Sequence, residues 1–205
     1  MQEQNRRERK RKAWKHFKTI TYHKYLVAKG CFRVGLYRQG ILHDLSKYGL
    51  TEFLVGVKYY QGDRSPNNAE REDKGYSAAW MHHKGRNRHH YEYWTDYSAD
   101  PEKKGCIVPV PMPDRYLAEM IMDRIAASKV YGGKNYTDAA PLQYYLMGKR
   151  EDLIHPQTAE TLERMLTMLA REGEEKTFAC IKRELVKGKK GGRPAGTGTT
   201  DARRA

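Results

Sequence analysis

The sequence predicts an all-α protein, a single helical bundle with basic, disordered termini. Three observations carry that expectation. Apolar residues recur at a helical period, most clearly at Leu162, Met165, Leu166 and Leu169. No run alternates with period two. Proline and glycine fall where helices begin and end, with Pro113 opening and Gly132-Gly133 closing one apolar segment. At 205 residues the chain fits one domain with tails. These are a basic N-terminal tail over 1–13, a helical domain over 14–187, and a basic tail over 188–205 rich in Gly, Lys, Arg and Thr.

In chain order, Phe17, Ile20, Leu26, Val27 and Val34 roughly follow a 3.6 period from Trp14 and predict the first helix. A second begins near Ile41 and runs towards Lys47. A third starts at Thr51 and carries Phe53, Leu54 and Val57 to Tyr60. Residues 61–75 are turn formers and charges, hence a loop. Another helix runs from about Tyr76 to His83, and prolines with Gly105 make 98–113 irregular or extended. Leu117, Met120, Ile121, Ile125 and Val130 then form the apolar face of a strong helix. The helix through Leu162 is stopped by Gly173, and Phe178, Ile181 and Leu185 make the last one. The fifteen tyrosines read mostly as amphipathic residues at helix interfaces.

The formal net charge is +14, and it sits at the ends. Residues 1–24 hold nine Lys/Arg against Glu3 and Glu8, a net +7, and 182–205 hold eight against Glu184 and Asp201, a net +6. Such ends add sequence-independent affinity for a phosphate backbone, which makes nucleic acid a candidate partner. Solvated ends that keep the protein soluble explain the charge equally well. No stretch approaches the roughly 20 apolar residues of a membrane helix, so no membrane partner is expected. The basic N-terminus has no apolar run behind it, unlike a secretory signal. Cys31, Cys106 and Cys180 are scattered, without a Cys-x-x-Cys pair, which points to a reducing, cytoplasmic setting.

Four of the eight histidines, His82, His83, His89 and His90, fall within nine residues. Imidazole is the commonest ligand for borderline metals, so such crowding suggests a metal site. A second cluster is His43-Asp44, in ILHDLSKY. Adjacent side chains on a helix diverge by about 100°, so both reach one metal only along their shared edge. Lys47 lies at i+3 from Asp44, on the same face, where an ammonium suits either a phosphoryl oxygen or a plain surface ion pair. Asp123 interrupts the apolar MIMDRIAAS, where a carboxylate needs a metal, several donors or a cation such as Arg124.

Taken together, His23, His43-Asp44, His83, His89-His90 and Asp123 resemble the metal-ligand order of the HD-domain superfamily, all-α metal-dependent phosphohydrolases. HDLSK is similar to the HDxxK variant of the HD-GYP phosphodiesterases, although the Gly-Tyr-Pro element is absent and His83 and His89 are closer than in that branch. A second resemblance covers most of residues 14–185. It is to a small bacterial and phage family of unknown-function domains, through HDLSKY (43–48), Ser-Pro-Asn-Asn (65–68), 79–94 and 122–138.

The superfamily resemblance implies an HD-domain-like bundle in which His23, His43, Asp44 and Asp123 hold one metal. His83 and His90 reach a second, with Asp44 bridging. His83 is preferred to His82 because it precedes Asn87 by one helical turn and His90 by two; if Gly85 breaks the helix, His82 or His89 substitutes. Mixed N/O ligands without thiolate favour one or two divalent ions, Fe or Mn first, with Mg, Co, Ni or Zn as alternatives. The implied activity is hydrolysis of a nucleotide or other phosphate ester by a metal-activated hydroxide, with Asp44 and Lys47 catalytic. Arg86, Asn87, His89 and Lys129 are the expected substrate contacts. The loop 131–138 either cradles phosphate or is an ordinary glycine cap and turn, the latter having the edge. Two other readings stand beside this one: a non-haem diiron oxygenase with the same ligands, and a non-catalytic nucleic-acid-binding protein with a structural metal site.

Overall fold

The computed structural model describes residues 2–149 and 152–188. Among them eight α-helices form a mostly helical bundle, as the apolar periodicity predicts. The first, α1 (Gln2–Val34), turns His16, Ile20, His23, Val27, Cys31 and Val34 inward in steps of three and four. Its exposed start corrects the expected tail over 1–13: from Gln2 that segment is helical and continuous with the bundle. Arg and Lys are good helix formers, and the pairs Arg7–Glu3 and Lys12–Glu8 lie at i,i+4 spacing. Beyond Gly188 the expected disordered C-terminal tail lies outside the described residues.

The chain reverses at Gly35, whose φ of 92° is glycine territory, into α2 (Tyr37–Leu42). The helix expected from Ile41 towards Lys47 is broken at His43-Asp44 and resumes only as a 3-10 turn, Leu45–Tyr48. After α3 (Leu50–Lys58) comes α4 (Pro66–Lys74), in a segment read as loop. Only Ala69 and Glu70 of α4 are buried, too few for an apolar period, but Pro66 in the first turn and left-handed Gly75 as cap define it. The short α5 (Ala78–Lys84) starts at Ser77, whose side chain accepts from the Trp80 amide, and ends at Gly85.

The irregular segment contains a small antiparallel hairpin, β1 (Thr95–Tyr97) with β2 (Ile107–Pro109), in the register Thr95↔Pro109. Next, α6 (Asp114–Gly132) begins one residue after Pro113. It buries Leu117 to Met122 in an unbroken run, then Ile125 and Ala126, so it is the central helix, with α1 and α8 packed on it. An unanticipated α7 (Ala140–Met147) follows the glycine turn. Finally α8 (Pro156–Ile181) kinks at Gly173 (φ 78°), so the two expected helices are its two arms. No described helix is long and apolar enough to cross a membrane.

Where α1 meets α3, His16 lies against Gly56; a Cβ there would sit 2.2 Å from His16 Nε2, so the approach requires glycine. Burial first, and the Lys47 charge second, push the His16 pKa down to about 4. Between pH 6.5 and 4 the unfolded chain binds a proton that the folded one refuses, so stability falls as pH falls through that window. The loss by pH 5 is about 2 kcal/mol. Urea midpoints at pH 7.5 and 5 are expected to separate less for His16→Gln than for the wild type. Equal separations would remove His16 as the cause.

Candidate metal centre

The site begins with a backbone break. His43 is extended and Asp44 is left-handed (φ 54°, ψ 26°), the one described non-glycine residue with positive φ. Aspartate tolerates this conformation better than most residues, but at a cost, and such strain clusters at functional sites. The break lets two adjacent side chains approach one centre, which a continuous helix would oppose. Lys24 on α1 secures it, its ammonium donating to the carbonyls of Ile41 and His43 at 2.5 and 2.7 Å. Nothing in the sequence distinguishes Lys24 from the other basic residues of α1.

His23 from α1, His43 and Asp44 from the break, and Asp123 from α6 each present a ligand atom, all within 4.8 Å of one another. His23 Nε2 lies 2.9 Å and His43 Nε2 3.5 Å from Asp123 Oδ1. The same two nitrogens lie 3.7 and 3.3 Å from Asp44 Oδ2. This is the set expected to hold one ion. The other oxygen of Asp44 serves a second group: His83 Nε2 and His89 Nε2 each lie 3.3 Å from Oδ1, and His90 joins them within 4.8 Å.

The second group brings together His83 and His90, the expected ligands, and His89, which the sequence offered as a substrate contact or a substitute ligand. The helical-spacing argument for His83 does not hold. Helix α5 ends at Lys84, and His89 and His90 arrive on the following loop. That loop is pinned by Asn87, whose Nδ2 donates to His83 O at 2.8 Å and Ser46 Oγ at 2.9 Å. His83 is nevertheless the inward histidine of the pair, buried where His82 is part-exposed.

Two carboxylates missed in the sequence lie behind the imidazoles. Glu119, one turn before Asp123 on α6, places Oε1 3.0 Å from His43 Nδ1 and 3.2 Å from His89 Nδ1, touching one histidine of each group. Glu52 on α3 takes His82 Nδ1 at 2.7 Å and His83 Nδ1 at 2.8 Å. A carboxylate on Nδ1–H directs the Nε2 lone pair to the centre, the usual support of a metal-ligating histidine. Glu119 could have been found as Asp123 was, as an acid inside an apolar run. Glu52 could not, because an acid in a first helical turn is ordinary.

The electrostatics suit a cation. Burial disfavours charge on every group, yet the His43, Lys47 and His83 charges hold Asp44 well below the usual carboxylate range. Against the same burial, His23 and His43 hold Asp123 well below it. His23, His43, His89 and His90 Nε2 and both Asp44 oxygens are buried without a hydrogen bond among the described residues. Each such atom normally costs about 1–3 kcal/mol, and six gathered in two groups about Asp44 fit ligated cations better than a packed core. These residues could therefore hold metal ions.

Both groups border a cavity of about 990 Å³ between α1, α3, α5, α6 and α7. Lys47 lines it with its ammonium 2.5 Å from Asp44 Oδ2. The residues expected at the substrate do not line it. Arg86 is exposed, its Nη1 3.4 Å from His82 O, and Asn87 is occupied within the fold. Lys129 pairs with Glu174 on α8, because six residues beyond Asp123 it points about 240° away around α6. In the loop 131–138, Gly133–Asn135 form a 3-10 turn after α6, the bland alternative.

Fold and site together define a mostly helical protein with paired, largely buried histidine–carboxylate groups that could hold metal ions. The chain belongs to the DUF5662 family, described as a family of unknown function, whose family model matches residues 12–168. That span contains every residue of both groups. No curated protein and no solved structure matches the chain.

Proposed function

We propose that this protein is a metal-dependent phosphohydrolase with a binuclear, HD-like centre, acting on a nucleotide or another phosphate ester. The observation that carries the reading is the Asp44 carboxylate, each oxygen facing a separate set of imidazole Nε2 atoms. His23, His43, Asp44 and Asp123 would hold one ion, and Asp44, His83, His89 and His90 the other. Imidazole and carboxylate donors favour Fe or Mn. When bound, the ions supply Lewis-acid charge and an activated water for attack at phosphorus.

The chain's own groups do the rest. Although burial disfavours its ammonium, Asp44 and Asp123 keep the Lys47 pKa raised, so its charge is available to offset that developing on a phosphoryl group. Glu119 and Glu52 fix imidazole orientation. The cavity matches a nucleotide-sized ligand in volume, and Trp80, Tyr60 and Tyr131 on its walls help exclude water. Three free cysteines suit a cytoplasmic setting.

The test is a phosphate-ester panel with Mn²⁺-loaded protein under anaerobic conditions, where turnover would also exclude an oxygen-dependent reaction. Lys47→Met is expected to lower kcat by about 10²-fold with metal content unchanged. Fully loaded protein that hydrolyses no ester, aerobically or anaerobically, would overturn the reading.

A further inference from the structure

Four cations and four carboxylates line the cavity, but two of the cations have no ion-pair partner among the described residues. Of its cations, Lys47 is paired with Asp44, and Arg64 is gripped by both oxygens of Glu72 at 2.7 and 2.8 Å. The other two have no carboxylate within 4.0 Å among the described residues. Arg71 donates to the neutral Asn68 side chain at 2.9 Å, and its guanidinium lies 5.6 Å from the Trp80 ring. Arg124 lies 5.3 Å from the Tyr145 ring, and its Nε is buried with no hydrogen-bond partner. Glu92 shares the cavity and feels the Arg124 charge, but from beyond ion-pair distance.

Each arginine neighbours one half-site, Arg124 along the chain and Arg71 through a ring. Arg124 follows Asp123 directly on α6. Arg71 is linked through Trp80, whose ring lies 4.7 Å from that of His90 and 5.8 Å from that of His83. A buried N–H without a partner is costly unless a ligand completes it, a guanidinium outside any ion pair is free to take an anion, and the planar fork of arginine suits a phosphate oxygen pair. A substrate with one phosphate, held at the metal centre, would leave that charge unmatched.

We infer that the substrate carries a second phosphate, remote from the one hydrolysed, and that Arg124 on α6 is its principal anchor, with Arg71 on α4 as a second contact. The inference rests on the phosphohydrolase reading for the first phosphate, but the second subsite is read by binding. The probes are adenosine 5′-monophosphate and adenosine 3′,5′-bisphosphate, titrated calorimetrically into Mn²⁺-loaded protein. Wild type is expected to bind the bisphosphate at least about tenfold more tightly, the scale of one charge-assisted hydrogen bond. Arg124→Gln should erase the preference while leaving metal content and monophosphate affinity unchanged.

Arg71→Gln, on a different helix, should reduce the preference and serves as the reporter if the Arg124 variant does not fold. Equal affinity of wild type for the two probes, no binding of either, or a preference that survives both substitutions would overturn the inference. A preference that depends on Arg124 in a protein that hydrolyses no ester would sustain the subsite while the hydrolase reading falls.

Discussion

An Asp44→Asn variant is expected to keep its fold and lose metal from both half-sites at once. Asparagine tolerates the left-handed conformation that Asp44 adopts, so the substitution removes charge without opposing the backbone. Alanine there would add about 1–2 kcal/mol of left-handed strain and confuse the two effects. Oδ2 faces the inner nitrogens of His23 and His43 while Oδ1 faces those of His83 and His89, so one carboxylate serves both groups. Elemental analysis should show metal falling to near zero, against the loss of one ion in His23→Ala. Turnover should drop on the order of 10³-fold, the equivalent of several kcal/mol of lost Lewis-acid stabilisation. Circular dichroism would confirm the retained helix. Full retention of one ion in Asp44→Asn would end the shared-carboxylate arrangement.

The second large effect belongs to Glu119, which never reaches the centre itself. Its Oε1 contacts the outer nitrogens of His43 and His89, one histidine from each group. Although burial alone would raise its pKa, contacts with His43 and His89 lower it, so it stays an acceptor. Glu119→Gln should weaken metal binding at both half-sites by about 10- to 100-fold, as is usual when the outer partner of a ligating histidine is lost. Glu52→Gln, which touches His83 but neither His43 nor His89, should weaken one half-site only. Titration against a competing chelator reads both. If Glu119→Gln weakened only one half-site, the coupling assigned to it would be wrong.

The sequence by itself determined the helical class and the long elements, because burying one face of a helix imposes a period that the chain must display. Helices α1, α6 and both arms of α8 were legible on that account, down to the stop at Gly173. Helix α4 was not, since it buries almost nothing and announces itself only through Pro66 and Gly75. The resemblance in chain order proposed His23, His43-Asp44 and Asp123 as one group, and these are residues that the fold brings within reach of one another.

Tertiary structure alone decided the rest. The left-handed break at Asp44 is a backbone choice that no side-chain pattern encodes, and it turns an adjacent pair into convergent ligands. His89 joined the second group because the chain leaves α5 at Gly85 and returns as a loop held by Asn87, which spacing along a helix could not foresee. Glu119, Glu52 and Lys24 support the centre from α6, α3 and α1. Spacing along the chain governs which residues share a face, but which faces meet is set by packing between helices far apart in sequence, and a metal centre is built where they meet.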